Sequence, residues 1–144
     1  MPEPRDRCPA CGQSLAAGDE DFVDKLITAL RHPEPTRAGL AIYILSERLA
    51  EPRAILPLID LLGVARDTAV LHDAVAALGR FADRRAVPSL ARLLLDTETP
   101  LVVRVAIVEA LARIGGDVAR AAIERVLSDP NTIVSERARR ALGD

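Results

Sequence analysis

The sequence has no tryptophan, one tyrosine and two phenylalanines, so Phe22, Tyr43 and Phe81 are its only aromatic rings. An all-β sandwich would want more aromatic and β-branched residues than this. So would a surface that stacks bases. A basic excess is also missing: 19 Lys and Arg stand against 21 Asp and Glu, for a net charge of −2. Phosphate neutralisation supplies most nucleic-acid affinity, so no nucleic-acid partner is expected. Long apolar runs are absent, and nothing approaches the roughly 20 residues of a membrane span. The N-terminal stretch MPEPRDRCPACGQ lacks the apolar core of an export signal. A soluble, cytoplasmic chain with no membrane contact is the expectation.

What the sequence does have is alanine and leucine, 24 and 20 of its 144 residues. These are the two best apolar helix formers. Hydrophobic residues make up 49% of the chain, enough to bury a core and too many for a disordered segment. The charge is uneven only at the start. Arg5 and Arg7 face Glu3, Asp6, Asp19 and Glu20 in residues 1–20, and the remainder is neutral. The chain reads as all-helical.

The helices repeat. AILPLIDLL (54–62) lies over AVPSLARLL (86–94), with Ala54, Ile55, Leu58, Leu61 and Leu62 matching Ala86, Val87, Leu90, Leu93 and Leu94. Ala119, Ile123, Val126 and Leu127 continue the pattern, and Phe22, Val23, Leu26, Ala29 and Leu30 begin it. Between these segments run Leu45, Leu78, Leu111 and Leu142, one per unit. The spacing predicts four units of two helices over residues 21–144. Helices are expected at about 21–31, 36–49, 53–63, 68–81, 86–95, 100–114, 118–127 and 132–142. Thr99 is the expected cap before Pro100, Asp129-Pro130-Asn131 makes a similar start, and Gly115-Gly116 ends one helix with Asp117 able to cap the next. Such pairs bury their apolar faces only by stacking on neighbours.

The segments LHDAVAALGRFADRRAVPSLARLL (71–94) and VRVAIVEALARIGGDVARAAIERVL (103–127) resemble the HEAT-like repeat of the phycobilisome-lyase type. The looser match ILSERLAEPRAILPLIDLL (44–62) adds a third copy. The resemblance implies an all-α, right-handed α-solenoid of four HEAT-like helix-pair repeats over 21–144, after an N-terminal extension at 1–20. It says less about function, because this repeat serves many proteins as a binding scaffold.

Chemistry-bearing residues are few. Cys8-Pro9-Ala10-Cys11-Gly12 resembles half of a zinc ribbon, so Cys8 and Cys11 are candidate metal ligands and zinc the candidate cofactor. The other two ligands would come from His32 bending back, from His72, or from a second chain in a homodimer joined through the extension. The opposing reading is a tag with free thiols. His72-Asp73 resembles the His-Glu helix motif of deoxyhypusine hydroxylase, a HEAT-repeat di-iron enzyme that needs several such pairs. The corresponding positions in other units are Gly39-Leu40 and Val105-Ala106, so the pair reads as exposed polar residues on a helix. No Ser–His–Asp set, phosphate-cradling loop or convergent carboxylate pair is visible. The expectation is therefore a chain that is not an enzyme.

A binding surface is expected on the second helices. Arg48, Arg80 and Arg113 read as one ladder along the stack, able to hold acidic peptide or phosphate, or simply paired with neighbours such as Glu47 and Glu109. Leu40, Asp73, Ala106 and Arg137 share one column, and Tyr43, Ala76, Glu109 and Arg140 another. Both should point into the concave groove, apolar at the first repeat and basic at the last. The partner-binding candidates are then Leu40, Tyr43, Arg48, Arg80, Arg113, Arg137 and Arg140, with another protein or peptide as partner. Alternatively, Leu40 and Tyr43 cap the open end of the first repeat under the extension. The chain reads as a protein–protein scaffold or adaptor. The competing reading is a zinc-binding or nucleic-acid-linked regulatory module acting through CPACG.

Overall fold

A computed structural model describes residues 16–143, with side chains from residue 22 onward. Eight α-helices follow one another: α1 (Ala16–Ala29), α2 (Pro35–Tyr43), α3 (Ile55–Val64), α4 (Thr68–Phe81), α5 (Val87–Leu95), α6 (Leu101–Ile114), α7 (Asp117–Glu124) and α8 (Thr132–Ala141). They pair as α1–α2, α3–α4, α5–α6 and α7–α8, giving an all-α solenoid of four units. Among the described residues there is no strand.

The leucine spacing explains why the pairs stack. Leu45, Leu78 and Leu111 are fully buried, one on each of the first three second helices. Leu58, Leu90 and Ile123 do the same on the first helices, and all belong to one continuous core. The second helices pack on one another along the stack, α2 on α4, α4 on α6 and α6 on α8. The first helices α3, α5 and α7 meet one another far less. Closer spacing on one layer makes that layer the inner side of a curved wall. Gly79 shows how close: a Cβ there would sit 3.1 Å from Ala110 of α6.

The helix ends are set by local chemistry. Asp67 accepts the N–H of Val70 at 3.1 Å to start α4, and Asn131 accepts those of Ile133 and Val134 to start α8. Gly115 and Gly116 hold φ of 71° and 90°, a conformation that favours glycine, and separate α6 from α7. Asp117 is the first residue of α7, where its charge suits the helix N-terminus, and Gly116 stands at the cap. Two expected caps, Asp117 and Thr99, are corrected. Thr99 is buried and Pro100 holds the cap position of α6 with no side-chain bond, because the proline's fixed φ already suits a helix start.

Unit one carries an irregularity. After Tyr43 the helix continues as a π-helical turn, Ile44–Arg48, where the Leu49 N–H donates to Ile44 at 2.9 Å. The buried Ala54 follows the buried Leu45 by nine positions, whereas Ala86 follows Leu78 by eight. The π turn absorbs that extra residue. Beyond it the units match again. Ala50 and Ala82 both adopt left-handed φ, of 46° and 52°. Glu51 and Asp83 then both accept the N–H two residues on to open a 3₁₀ turn.

Candidate interaction groove

The inner wall presents one row of side chains from each second helix. Two hollows lie between adjacent rows. The first, about 220 Å³, is lined by Gly39, Tyr43, Glu47, His72, Asp73, Ala76 and Arg80. The second, about 210 Å³, is lined by His72, Ala76, Arg80, Ala106, Glu109 and Arg113. His72 lines both, so it stands at the middle of the groove, with its Nδ1 3.7 Å from Asp73.

Ion pairs run across the groove from helix to helix. Arg80 of α4 meets Glu47 of the π turn at 2.6 Å, and Arg137 of α8 meets Glu109 of α6. These pairs are half exposed, so each adds little stability. They do fix where charge remains. Among the described residues, Arg48, Arg113 and Arg140 are exposed and have no carboxylate partner, as are Arg139 beside them on α8 and Arg31, Arg66, Arg84, Arg92 and Arg125 elsewhere. Asp73 is the one acidic side chain lining these hollows that no arginine meets.

The expected site residues divide. Tyr43, Arg80 and Arg113 line the hollows. The ladder begins differently from the expected form, because the extra residue falls inside Ile44–Arg48. That stretch presents both Glu47 and Arg48 where units two and three have a single arginine, and Glu47 is the one that reaches Arg80. Leu40 also parts from Tyr43. Its column looks back toward the preceding unit: Asp73 lies 3.2 Å from where a Gly39 Cβ would be, and Arg137 reaches back to Glu109. Leu40, with no unit described before it, is 57% exposed. Cys8 and Cys11 lie outside the described residues. His32 sits at the turn after α1, where its Nδ1 accepts the Glu34 N–H at 3.0 Å. There it borders a separate cavity of about 630 Å³ at the edge of the wall, with Arg31, Arg66 and Val70. Among the described residues no three His, Cys, Asp or Glu converge as a metal set.

The family model of HEAT repeats matches residues 23–104 and again 55–143, which together span most of the chain. The chain belongs to the HEAT-repeat family. Its fold is similar to human deoxyhypusine hydroxylase, solved in complex with glycerol, at a TM-score of 0.70 and 28% identity. The match covers 84% of this HEAT-repeat chain and 42% of the hydroxylase, so the chain spans well under half of that protein's length. No curated protein sequence matches it significantly. The hydroxylase corrects one expectation. A chain of this fold was expected not to be an enzyme, yet the solved protein it resembles at this identity is one. Scarcity of catalytic motifs is weak ground here, since a solenoid can assemble a site from side chains on several repeats. Among the described residues no helix is long and apolar enough to cross a membrane.

The sequence reading missed one charged pair. Arg104 of α6 is 6% exposed and donates from Nη1 and Nη2 to Asp129, at 3.2 and 2.5 Å, and from Nε to the Leu94 carbonyl at 3.0 Å. Asp129 also accepts the Asn131 N–H at 2.9 Å. The signal was available: Arg104 falls where Leu71 stands one unit earlier, and a charge at a core position needs a partner. This pair ties α5, α6 and the start of α8 together behind the groove.

Proposed function

We propose that this protein is an interaction scaffold that holds an extended, acidic segment of another protein along the inner face of its second helices. The observation that carries the reading is the charge left over among the second-helix positions that the repeat aligns. Glu47–Arg80 and Glu109–Arg137 satisfy one another, while Arg48, Arg113 and Arg140 remain exposed for a partner's carboxylates. Guanidinium groups hold carboxylates by paired hydrogen bonds, which adds direction to charge. Tyr43, 46% exposed at the first hollow, supplies an amphipathic ring of the kind that anchors interfaces. Acidic residues spaced along the partner with one apolar residue near Tyr43 fit this row.

The test is a selection of 12-residue peptides against the full chain, scored for composition and then by fluorescence anisotropy. Enrichment of Glu and Asp is expected. Arg113→Glu and Arg140→Glu should each weaken binding by roughly tenfold at low salt, with the melting temperature unchanged. Selected peptides that are neutral, or that bind both variants as well as the parent, overturn the reading.

A further inference from the structure

The cavity of about 630 Å³ at the edge of the wall lies between the turn that joins α1 to α2 and the turn that joins α3 to α4. Its floor is apolar: Leu30, Leu61 and Val70 line it, and each is buried in the core. Val64, 54% exposed, and the exposed Pro33 and Pro35 carry that apolar surface outward. The corresponding place is filled further along the solenoid. Between units three and four, Arg104 reaches the Leu94 carbonyl and Asp129. The equivalents of Arg104, Leu94 and Asp129 in units one and two are Ala38, Leu30 and Val64. Leu30 and Val64 line the cavity, and Ala38 brings one methyl group where unit three brings a guanidinium.

The charges around this floor have one net sign. Arg31 and Arg66 line it, both exposed and neither with a carboxylate partner among the described residues. Glu34 of the first turn is paired with Arg37 at 2.9 Å. The one carboxylate in the lining, Asp67, accepts the Val70 N–H as the cap of α4. His32 accepts the Glu34 N–H at Nδ1, and an imidazole that accepts there is uncharged and carries its proton on Nε2. Two guanidinium groups against one carboxylate leave a single positive charge, which suits a monoanion. Inorganic phosphate would leave the apolar floor uncovered, and a neutral apolar molecule would leave both arginines unused. The volume falls in the range of small-molecule sites, about 300–1,000 Å³.

We propose that this cavity binds a small organic acid: a monocarboxylate whose apolar body covers Leu30, Leu61 and Val70 while its carboxylate accepts hydrogen bonds from Arg31, Arg66 and His32 Nε2. Guanidinium groups suit this role because they hold a carboxylate by paired bonds. The site is at the far end of α1 from Ala16, about 20 Å along the helix. It shares no residue with the two hollows of the inner groove, so it stands or falls independently of the peptide reading.

Amide NMR titration of the full chain with phenylbutanoate tests it, beside phenylbutanol, which lacks the charge, and acetate, which lacks the apolar body. Shifts centred on residues 30–32 and 64–70 are expected, saturating with a Kd on the order of 1 mM. Phenylbutanol and acetate should each bind at least about tenfold more weakly. Arg31→Gln and Arg66→Gln should each weaken the acid roughly fivefold at low salt and leave phenylbutanol as it was. Both side chains are exposed, so helical circular dichroism should not change. Phenylbutanol that shifts the same amides as strongly as the acid overturns the proposal, as does an acid that fails to saturate below about 20 mM. Undiminished binding by both glutamine variants overturns it too. So do shifts centred on residues 72–80 or 106–113, because the groove arginines would then hold the carboxylate. Binding that begins only when residues 1–15 are removed shows the cavity covered within the chain, and is equally fatal.

Discussion

Arg104 and Asp129 stand 25 residues apart in sequence and meet as a two-bond ion pair inside the wall of the solenoid, with both side chains at least nine-tenths buried. Their equivalents in the preceding unit are Leu71, which is buried, and Asp96, which is exposed and turns back to the Glu98 N–H at 2.9 Å. Units two and three thus solve the same packing problem in two ways, one apolar and one ionic.

Removing one partner of a buried pair leaves the other charge desolvated and unmatched. Asp129→Asn should therefore destabilise the fold by about 3 kcal/mol in urea unfolding. Arg104→Leu with Asp129→Asn restores the apolar solution of unit two and should recover most of that loss. A double variant as unstable as the single one would show that Arg104 acts mainly through the Leu94 carbonyl.

The same pair sets an acid limb. Hydrogen bonds from Arg104 hold the Asp129 carboxyl below the usual aspartate range; burial opposes this, while the Asn131 N–H and the Arg104 charge add to it. A carboxyl lowered in the folded state contributes stability that is complete above its unfolded value, about 4, and disappears as pH falls through the folded value. Stability should be level with respect to this group from about pH 5 upward and decline below about pH 4. Asp129→Asn should flatten that decline. A parallel pH profile for parent and variant would remove Asp129 from the account.

Ala50 and Ala82 end their helices with φ of 46° and 52°, a conformation that costs an L-residue about 1 kcal/mol and glycine nothing. Ala82→Gly should thus stabilise the chain, by about 0.5–1 kcal/mol after the entropy that glycine adds to the unfolded state. Ala50→Gly should act alike and, being one unit away with no shared partner, add to it. Destabilisation by either change would mean that the Cβ packing outweighs the strain.

The helix pairs were legible because a buried leucine returns in each of the first three units, Leu45, Leu78 and Leu111 all being at zero exposure, while Leu142 of the fourth is only partly buried. The direction of a groove residue was not legible. Leu40 and Tyr43 lie three residues apart on one helix and point within one turn of each other. Which of them looks back and which lines the hollow depends on the neighbouring helix, seen only through Gly39 against Asp73 and Glu109 against Arg137. Arg104 and Asp129 escaped because their contact crosses two helices, and local spacing reports only contacts within one. The π turn, by contrast, left a trace in the sequence. The unit offset is 33 at Leu45–Leu78 and 32 at Ala54–Ala86, and a helical array takes up such a residue in a bulge or a loop.

The extra residue can be taken out. Deleting Arg48 turns Leu45-Ser46-Glu47-Arg48-Leu49-Ala50-Glu51 into a stretch that aligns with Leu78-Gly79-Arg80-Phe81-Ala82-Asp83 without a gap. Arg48 is exposed, and the structure gives it no ion pair among the described residues. Its loss lets the helix run on with ordinary i→i−4 bonds to the left-handed Ala50. The shortened chain should keep its helicity and fall within about 1 kcal/mol of the parent in stability. Deleting Arg80 instead shifts Phe81, the last residue of α4, by 100° and pulls the Ala82 cap and the 3₁₀ turn after it one residue back, and should destabilise the second unit far more. Thermal melts of the two deletions separate the cases. A Δ48 chain as unstable as Δ80 would mean that the π turn holds something the units around it need, with the buried Ser46 hydroxyl, which donates to the Ile42 carbonyl at 2.8 Å, the first place to look.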